Sequence, residues 1–209
     1  MISHEATLTS KTNDSVFFQK QSLLTTCKNS IACENVLSDF NLLATTSRGN
    51  EREACVELSY LFREIGDSTA RIERTGVAGL IAAKTSLDPF GAIAGLRTIL
   101  VERPYEFRYT LRIIPIEKVV HTDLEEIRET ATDLSSKIGE NETFRVTVEK
   151  RFTTIHARTI IEAAAANIKR KVKLAGPDKI VLIEVVGRLT GMSIAKPDDV
   201  LSVMKEKIL

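Results

Sequence analysis

The sequence predicts a mixed α/β (α+β) protein in which strands and helices alternate along the chain. Short stretches such as FNLLATT (40–46) place apolar residues at every second position, as in a half-buried strand. Longer stretches such as EREACVELSYLFREIG (51–66) repeat their apolar residues at helical spacing. With 43% hydrophobic and 27% charged residues, the chain has the composition of ordinary globular domains. We therefore expect two α/β units with cores of their own.

The first unit, residues 39–118, is predicted to be ferredoxin-like. Its pattern gives a strand (40–44), a helix (51–65), a strand pair (70–85), a helix (88–103) and a strand (106–116). Gly66 ends the first helix, and Asp88 and Pro89 supply the N-cap and the first position of the second. The order strand, helix, strand, strand, helix, strand is the split βαβ arrangement of ferredoxin-like domains.

The second unit, residues 119–209, is also predicted to be α/β. Thr122 and Glu125 form a T-x-x-E capping box, which starts a helix that ends at Gly139. The elements that follow are a strand (144–151), a helix (156–173), an apolar central strand (179–186), a short strand between Gly187 and Gly191, and a helix that Pro197 opens. Residues 1–38 lack sustained periodicity and are predicted to be an N-terminal extension.

The cysteines and the N-terminus indicate a reducing compartment. Cys27, Cys33 and Cys55 are odd in number and show no metal-site spacing, which argues against a disulfide framework or a zinc site. The N-terminal residues contain no continuous apolar run that could serve as a signal peptide or membrane span. We expect a cytoplasmic protein without a membrane partner.

Charge is distributed unevenly, although the net charge is only +1. Residues 121–144 hold seven acidic and two basic side chains, whereas residues 145–173 hold eight basic and two acidic ones. The excess of basic side chains at 145–173 is the feature that favours binding of a polyanion. Cations near a helix C-terminus also complement the helix dipole without binding a ligand. The candidate RNA-binding residues are Arg145, Lys150, Arg151, Arg158, Lys169, Arg170, Lys171 and Lys173, with Arg188 as an addition.

Motifs for catalysis are missing from the sequence. His4, His121 and His156 are far apart, and neither a metal-binding HExxH nor a phosphate-binding glycine loop occurs. The carboxylates of DLEEIRETATD (123–133) form the solvated face of the capped helix. We expect no cofactor, no metal and no catalytic residue, and therefore a protein that is not an enzyme.

The second unit resembles a THUMP domain. The resemblance rests on FRVTVEKR (144–151), HARTIIEAAAANIKRKV (156–172) and LAGPDKIVLIEVVGRLTGMSI (174–194). The first unit, DFNLLATTSRGNEREACVELSYLFREIGD (39–67), is similar to the ferredoxin-like domain that precedes THUMP. Its Arg-Gly-Asn-Glu-Arg-Glu run resembles the stand-alone THUMP proteins that assist the tRNA cytidine acetyltransferase.

The resemblance implies a tRNA-binding adaptor. In the family, the two domains together hold the tRNA acceptor stem and its unpaired 3′ end, and a catalytic domain reaches a nucleotide at a fixed distance. The partner here would be a tRNA cytidine acetyltransferase that binds and uses acetyl-CoA and ATP. Two alternatives stay open: an RNA-binding subunit of another modifying enzyme, for methylation or thiolation, and a protein-interaction module. The sequence does not predict the oligomeric state.

Overall fold

The first sheet has the strand order that the sequence predicts for a ferredoxin-like unit. The structure, a computed structural model, describes residues 38–207. Its first elements are β1 (Leu42–Thr46), α1 (Glu51–Glu64), β2 (Arg71–Arg74), β3 (Leu80–Lys84), α2 (Pro89–Glu102) and β4 (Thr110–Pro115). The strands pair antiparallel in the order β4-β1-β3-β2, so β3 lies between the two strands that α1 connects. The predicted extension, except for its last residue, lies outside the described residues.

One face of this sheet is covered by both helices. Leu58 and Phe62 of α1, with Ile93 and Leu96 of α2, are buried against the strands. The helical spacing of these residues therefore reflects a real core face. The half-buried Cys55 packs at the margin of this core, as expected for a small apolar residue.

The second sheet is mixed. Its elements are β5 (Lys118–His121), α3 (Leu124–Leu134), β6 (Thr143–Arg151), α4 (Ala157–Ala165), β7 (Lys171–Val172), β8 (Lys179–Val186) and β9 (Leu189–Ala195). The order is β5-β9-β8-β6-β7, with β6 parallel to both β7 and β8. β8 is central, as its apolar sequence predicts, and α3 and α4 pack together on one face of the sheet. The mixed α/β class is thereby confirmed.

The predicted helix at 156–173 is wrong in its second half. α4 ends at Ala165, and residues 171–172 instead form β7 beside the start of β6. The backbone N–H of Lys173 donates to the carbonyl of Phe144 at 2.9 Å, so the edge of β6 offers hydrogen bonds that replace those of a continued helix. Ile168 still packs into the same core after the helix has ended, which explains why the fourfold spacing is misleading.

Two helix boundaries also differ from the prediction. Asp123, not Thr122, is the N-cap of α3, because its carboxylate accepts the N–H groups of Glu125 and Glu126. The helix predicted from Pro197 is replaced by a turn, by β10 (Leu201–Ser202) and by the short α5 (Val203–Glu206). β10 pairs with β4 and so extends the first sheet, which a helix at this position could not do.

The two sheets pack face to face through a shared apolar layer. Its buried residues are Phe40, Leu43, Leu80, Ala82, Ile114 and Ile116 from the first unit, and Ile180, Leu182, Val186 and Ala195 from the second. Gly191 lies in β9 at this contact, where an added Cβ would lie 3.0 Å from Ile116 and 3.1 Å from Phe40. A side chain at this position would therefore crowd Ile116 and Phe40, so glycine suits the tight packing of this layer.

Side-chain hydrogen bonds also join the sheets. The Ser193 hydroxyl donates to the carbonyl of Pro115 at 2.7 Å, and Glu117 accepts the N–H of Ile194 at 2.9 Å. The division of the chain at residues 118 and 119 into two domains stays a prediction. No helix within residues 38–207 is both long and apolar enough to cross a membrane.

Candidate nucleic-acid interface

The nine predicted RNA-binding residues do not form one surface, because β6 separates them into two groups. Arg145, Lys169, Arg170, Lys171 and Lys173 lie near the start of β6, where β7 pairs with Thr143 and Phe144. The other four, Lys150, Arg151, Arg158 and Arg188, lie near its end. There the N–H of Gly187 donates to the backbone carbonyl of Arg151 at 2.9 Å, and α4 begins. At about 3.3 Å per residue, Arg145 and Lys150 are about 17 Å apart along β6, and Thr143, which pairs with Lys171, is about 23 Å from Lys150.

Four of the nine cations make hydrogen bonds or ion pairs with other residues of the chain. Arg145 donates to the carbonyl of Leu174 at 3.2 Å, and Arg170 donates to the carbonyls of Ile138 and Gly139 at 3.1 Å. Two others form ion pairs of 2.8 Å. These are Arg151 with Glu184 and Arg158 with Glu162.

The remaining five cations are exposed. They are Lys150, Lys169, Lys171, Lys173 and Arg188. None of them makes an ion pair with another residue in the part of the chain that the structure describes. The lysines at 169, 171 and 173 border the exposed edge strand, and we call them the β7 lysines. Exposed cations without a partner are the side chains best able to bind phosphate.

The acidic helix does not neutralise this charge. On α3, Glu125 pairs with Arg128 at 2.7 Å, and Glu126 approaches His121 at 3.3 Å. Within residues 38–207, no ion pair connects a carboxylate of α3 with any of the nine predicted cations. The contrast in charge along the sequence therefore persists in the folded molecule.

Phe152 is a candidate that the sequence prediction passed over. It directly follows β6 beside Lys150, its residue surface is 74% exposed, and its φ is +55°. A bulky residue in the left-handed region carries backbone strain, and such strain is often found at functional positions. An exposed phenyl ring next to exposed cations can stack on a nucleic-acid base. The hydrophobicity pattern gave no reason to single out this position.

Arg151 has a structural role, because its guanidinium neutralises the buried carboxylate of Glu184. The Glu184 carboxylate is only 3% exposed on β8, and burial raises its pKa, an effect that the hydrogen bond and charge of Arg151 oppose. The Glu184 carboxylate is therefore compensated by a single neighbouring guanidinium at 2.8 Å, with Arg112 adding a weaker attraction. Arg151 thus stabilises the end of the sheet from which Phe152 and Arg188 extend.

Comparison with known proteins identifies this sheet. Residues 121–195 match the model of the THUMP domain family, from the last residue of β5 to the end of β9. The second sheet with α3 and α4 is thus a THUMP domain, and THUMP domains are RNA-binding modules. No curated protein matches the chain in sequence.

Solved structures share the wider fold. Protein PH1313 from Pyrococcus horikoshii is 18% identical, with a TM-score of 0.60 over 76% of this chain and 55% of that one. A 4-thiouridine synthetase, solved in complex with RNA and with bound ATP, is 15% identical, with a TM-score of 0.50 over 78% of this chain and 42% of that one. The chain thus spans about half the length of these structures. At such identities the likeness concerns the fold alone.

Replacing Arg151 by alanine should destabilise the protein in a pH-dependent way. Glu184 would be left buried without its partner, at a cost of about 2–4 kcal/mol near neutral pH. The Glu184 pKa is already raised in the folded state and would rise further in the variant. The unfolded chain releases this proton near its ordinary pKa of 4.5, so the variant loses stability as the pH rises above that value. Urea unfolding at about pH 4 and about pH 7 measures the difference.

Arg158→Ala is the matched control. Its partner Glu162 is on the same exposed helix face, so the loss of stability should be small and the same at either pH. Equal losses for Arg151→Ala at the two pH values would contradict the assigned role of the Arg151–Glu184 pair.

Proposed function

We propose that this chain is a tRNA-binding protein that holds tRNA for a separately encoded modifying enzyme and performs no catalysis itself. The observation that carries the proposal is a THUMP domain whose sheet presents exposed cations at both ends of β6. Lys150 and Arg188 lie at one end and the β7 lysines at the other.

Two separated cationic ends suit the task of positioning RNA. Each phosphate that a lysine or arginine neutralises releases counterions, which provides binding free energy at low salt. Because the β7 lysines and Lys150 are about 23 Å apart along β6, they can contact phosphates several nucleotides apart on one RNA. Contacts with phosphate fix the orientation of a nucleic acid without reading its sequence. A fixed orientation is what a presenting protein must provide to an enzyme that acts elsewhere on the same tRNA.

The modifying enzyme, in this proposal, is a tRNA cytidine acetyltransferase. The support is the likeness of residues 39–67 to the stand-alone THUMP proteins that assist this enzyme. In the fold, the Arg-Gly-Asn-Glu-Arg-Glu run (48–53) leads from the loop after β1 into the first turn of α1, and Glu51 accepts the N–H of Gly79 at 2.6 Å. Glu51 thereby fixes this loop to the turn between β2 and β3. Arg48 and Arg52 of the same run remain exposed, where a partner can reach them.

Reversing the charge of the β7 lysines should weaken tRNA binding. The triple variant Lys169→Glu, Lys171→Glu, Lys173→Glu removes three candidate phosphate contacts and adds repulsion, so we expect at least about a tenfold loss of affinity near 0.1 M salt. The slope of log K against log salt should decrease by up to about 3. Arg170 is left in place because its hydrogen bonds to Ile138 and Gly139 hold the fold. Filter binding or fluorescence anisotropy with bulk tRNA measures both quantities.

The control carries the same change of net charge on other exposed lysines. Lys118 lies on β5 at the opposite edge of the sheet, and Lys196 and Lys205 are exposed near the C-terminus. Glutamate at these three positions should change the affinity by less than the β7 triple variant does. Equal losses would mean that net charge alone governs binding and would contradict the assigned surface.

A reconstituted reaction tests the partner. The chain with tRNA, acetyl-CoA and ATP should form no acetylcytidine by itself, whereas adding it to a tRNA cytidine acetyltransferase should raise acetylcytidine formation about tenfold or more, measured by mass spectrometry of tRNA nucleosides. The β7 triple variant should reduce this stimulation, because it binds tRNA more weakly. Acetylation by the chain alone, or stimulation of a tRNA methyltransferase or thiolating enzyme instead, would contradict this part of the proposal.

A further inference from the structure

A groove on the first unit is not explained by the THUMP domain. It has a volume of about 480 Å³ and lies between α1 and the segment that leads into β4. Val56 and Tyr60 of α1 line one wall, and Tyr105 and Tyr109 line the other. All three tyrosines of the chain thus meet at this site, and we call it the tyrosine groove.

The walls of the groove present apolar surface to solvent. Val56 is 67% exposed and Tyr105 is 64% exposed, and Tyr60 is exposed as well. Val56 and Tyr60 are four residues apart and share one side of α1, whereas Leu58 and Phe62 of the same helix are buried in the core. The helix α1 therefore has a second apolar side that the core does not use. Clusters of exposed apolar side chains are typical of sites that bind a partner.

Two carboxylates hold the walls of the groove together. Glu57 on α1 accepts the backbone N–H groups of residues 108–110 at 2.6–2.9 Å, which fixes the second wall to the helix. Glu106 on the second wall accepts from Arg103 at 3.1 Å and lies beside the Tyr60 hydroxyl, whose pKa it raises. The groove is therefore preformed, which lowers the entropic cost of binding.

The polar groups that remain free in the groove are two guanidinium groups and one carboxylate. Arg52 and Arg108 are exposed, line the groove and make no ion pair with another residue between positions 38 and 207. Each guanidinium carries several N–H donors and no acceptor. The exposed Glu53 also lines the groove and is likewise without an ion pair among the described residues. A matching ligand therefore has apolar groups, several hydrogen-bond acceptors and a positive charge.

We infer that the tyrosine groove binds a proline-rich segment of a partner protein that carries a basic residue. Such a segment forms a polyproline II helix, which has no internal hydrogen bonds and whose prolines have no N–H, so its carbonyls take donors from the binding site. Arg52 and Arg108 supply these donors, and the rings of Tyr60 and Tyr105 supply the flat faces on which prolines pack. The basic residue pairs with Glu53. This protein-binding site goes beyond the proposed tRNA-binding function and does not depend on it.

Two other kinds of ligand match the groove less well. A helical peptide satisfies its own backbone carbonyls and would leave the guanidinium groups of Arg52 and Arg108 without acceptors. A single strand of RNA would bring phosphates close to the carboxylate of Glu53, which repels them, and Val56 offers no ring on which a base can stack. Both therefore serve as comparison ligands in the test.

Tyrosine fluorescence reports on this groove directly, since the chain has no tryptophan and no tyrosine elsewhere. The full chain is titrated with two capped proline-rich peptides of about ten residues, which lack tyrosine and tryptophan and carry one arginine at the N-terminal or the C-terminal end. Matched peptides carry glutamate in place of the arginine. We expect at least one arginine peptide to alter the emission and to bind about threefold or more tightly than its glutamate counterpart.

Variants at exposed positions, which should leave the fold intact, assign the contacts by calorimetry. Tyr105→Ala should weaken binding of the arginine peptide about fivefold or more by removing an apolar ring, whereas Tyr105→Phe should not. Glu53→Gln should remove most of the preference for arginine over glutamate, because its amide is uncharged. Glu129→Gln, at an exposed position of α3 outside the groove, is the control and should bind like the unmodified chain.

Several results would overturn the inference. The first is a tyrosine emission that neither arginine peptide changes at concentrations up to about 1 mM. The second is equal affinity for the arginine and glutamate peptides. A stronger response to a single-stranded uridine hexamer, or to an amphipathic helical peptide, would assign the groove to another class of ligand. These outcomes are distinguishable from failure of the proposed function, which is tested by the binding of bulk tRNA.

Discussion

The apolar layer between the two sheets is the constraint on which the rest of the structure depends. It covers one face of β8 and β9, while α3 and α4 cover the other, so the THUMP sheet has no open face in its centre. Exposed charged side chains are therefore left to the ends of the strands and to the edge of the sheet. The cations near β6 lie at those positions, and Gly191 leaves room for Ile116 and Phe40 in the apolar layer. The position of the RNA-binding surface that we propose thus follows from the burial of both faces of the THUMP sheet.

Most of the fold could be predicted because residue periodicity and core packing agree. The βαββαβ order and the central strand β8 both follow from apolar patterns that the structure buries. The prediction is wrong where hydrogen bonding decides the outcome instead. Residues 171–172 pair with β6 although Ile168 continues a helical pattern, and residues 201–202 pair with β4 although Pro197 could open a helix. β5 was missed because its four residues are too few to show alternation.

The candidate site was predictable in composition but not in geometry. The excess of basic residues at 145–173 identified the region, and the nine named cations stay predicted RNA contacts. Sequence could not show that Arg151 compensates a buried Glu184, or that Arg170 binds the carbonyls of Ile138 and Gly139, since both partners are distant in the chain. For the same reason the groove between α1 and the segment before β4 could not be predicted, because Tyr60 and Tyr105 line it from distant parts of the chain.

Binding of the purified chain to bulk tRNA across a salt series, with the 3′ end intact or trimmed, tests the central claim most directly. Five exposed cations without internal partners predict that log K falls with log salt with a slope of at most about 4 to 5 in magnitude. A grip of the THUMP type predicts weaker binding to trimmed tRNA at every salt concentration. If the chain fails to bind tRNA at low salt, or if binding is indifferent to salt, the exposed cations of the THUMP sheet do not form an RNA-binding surface in the free chain.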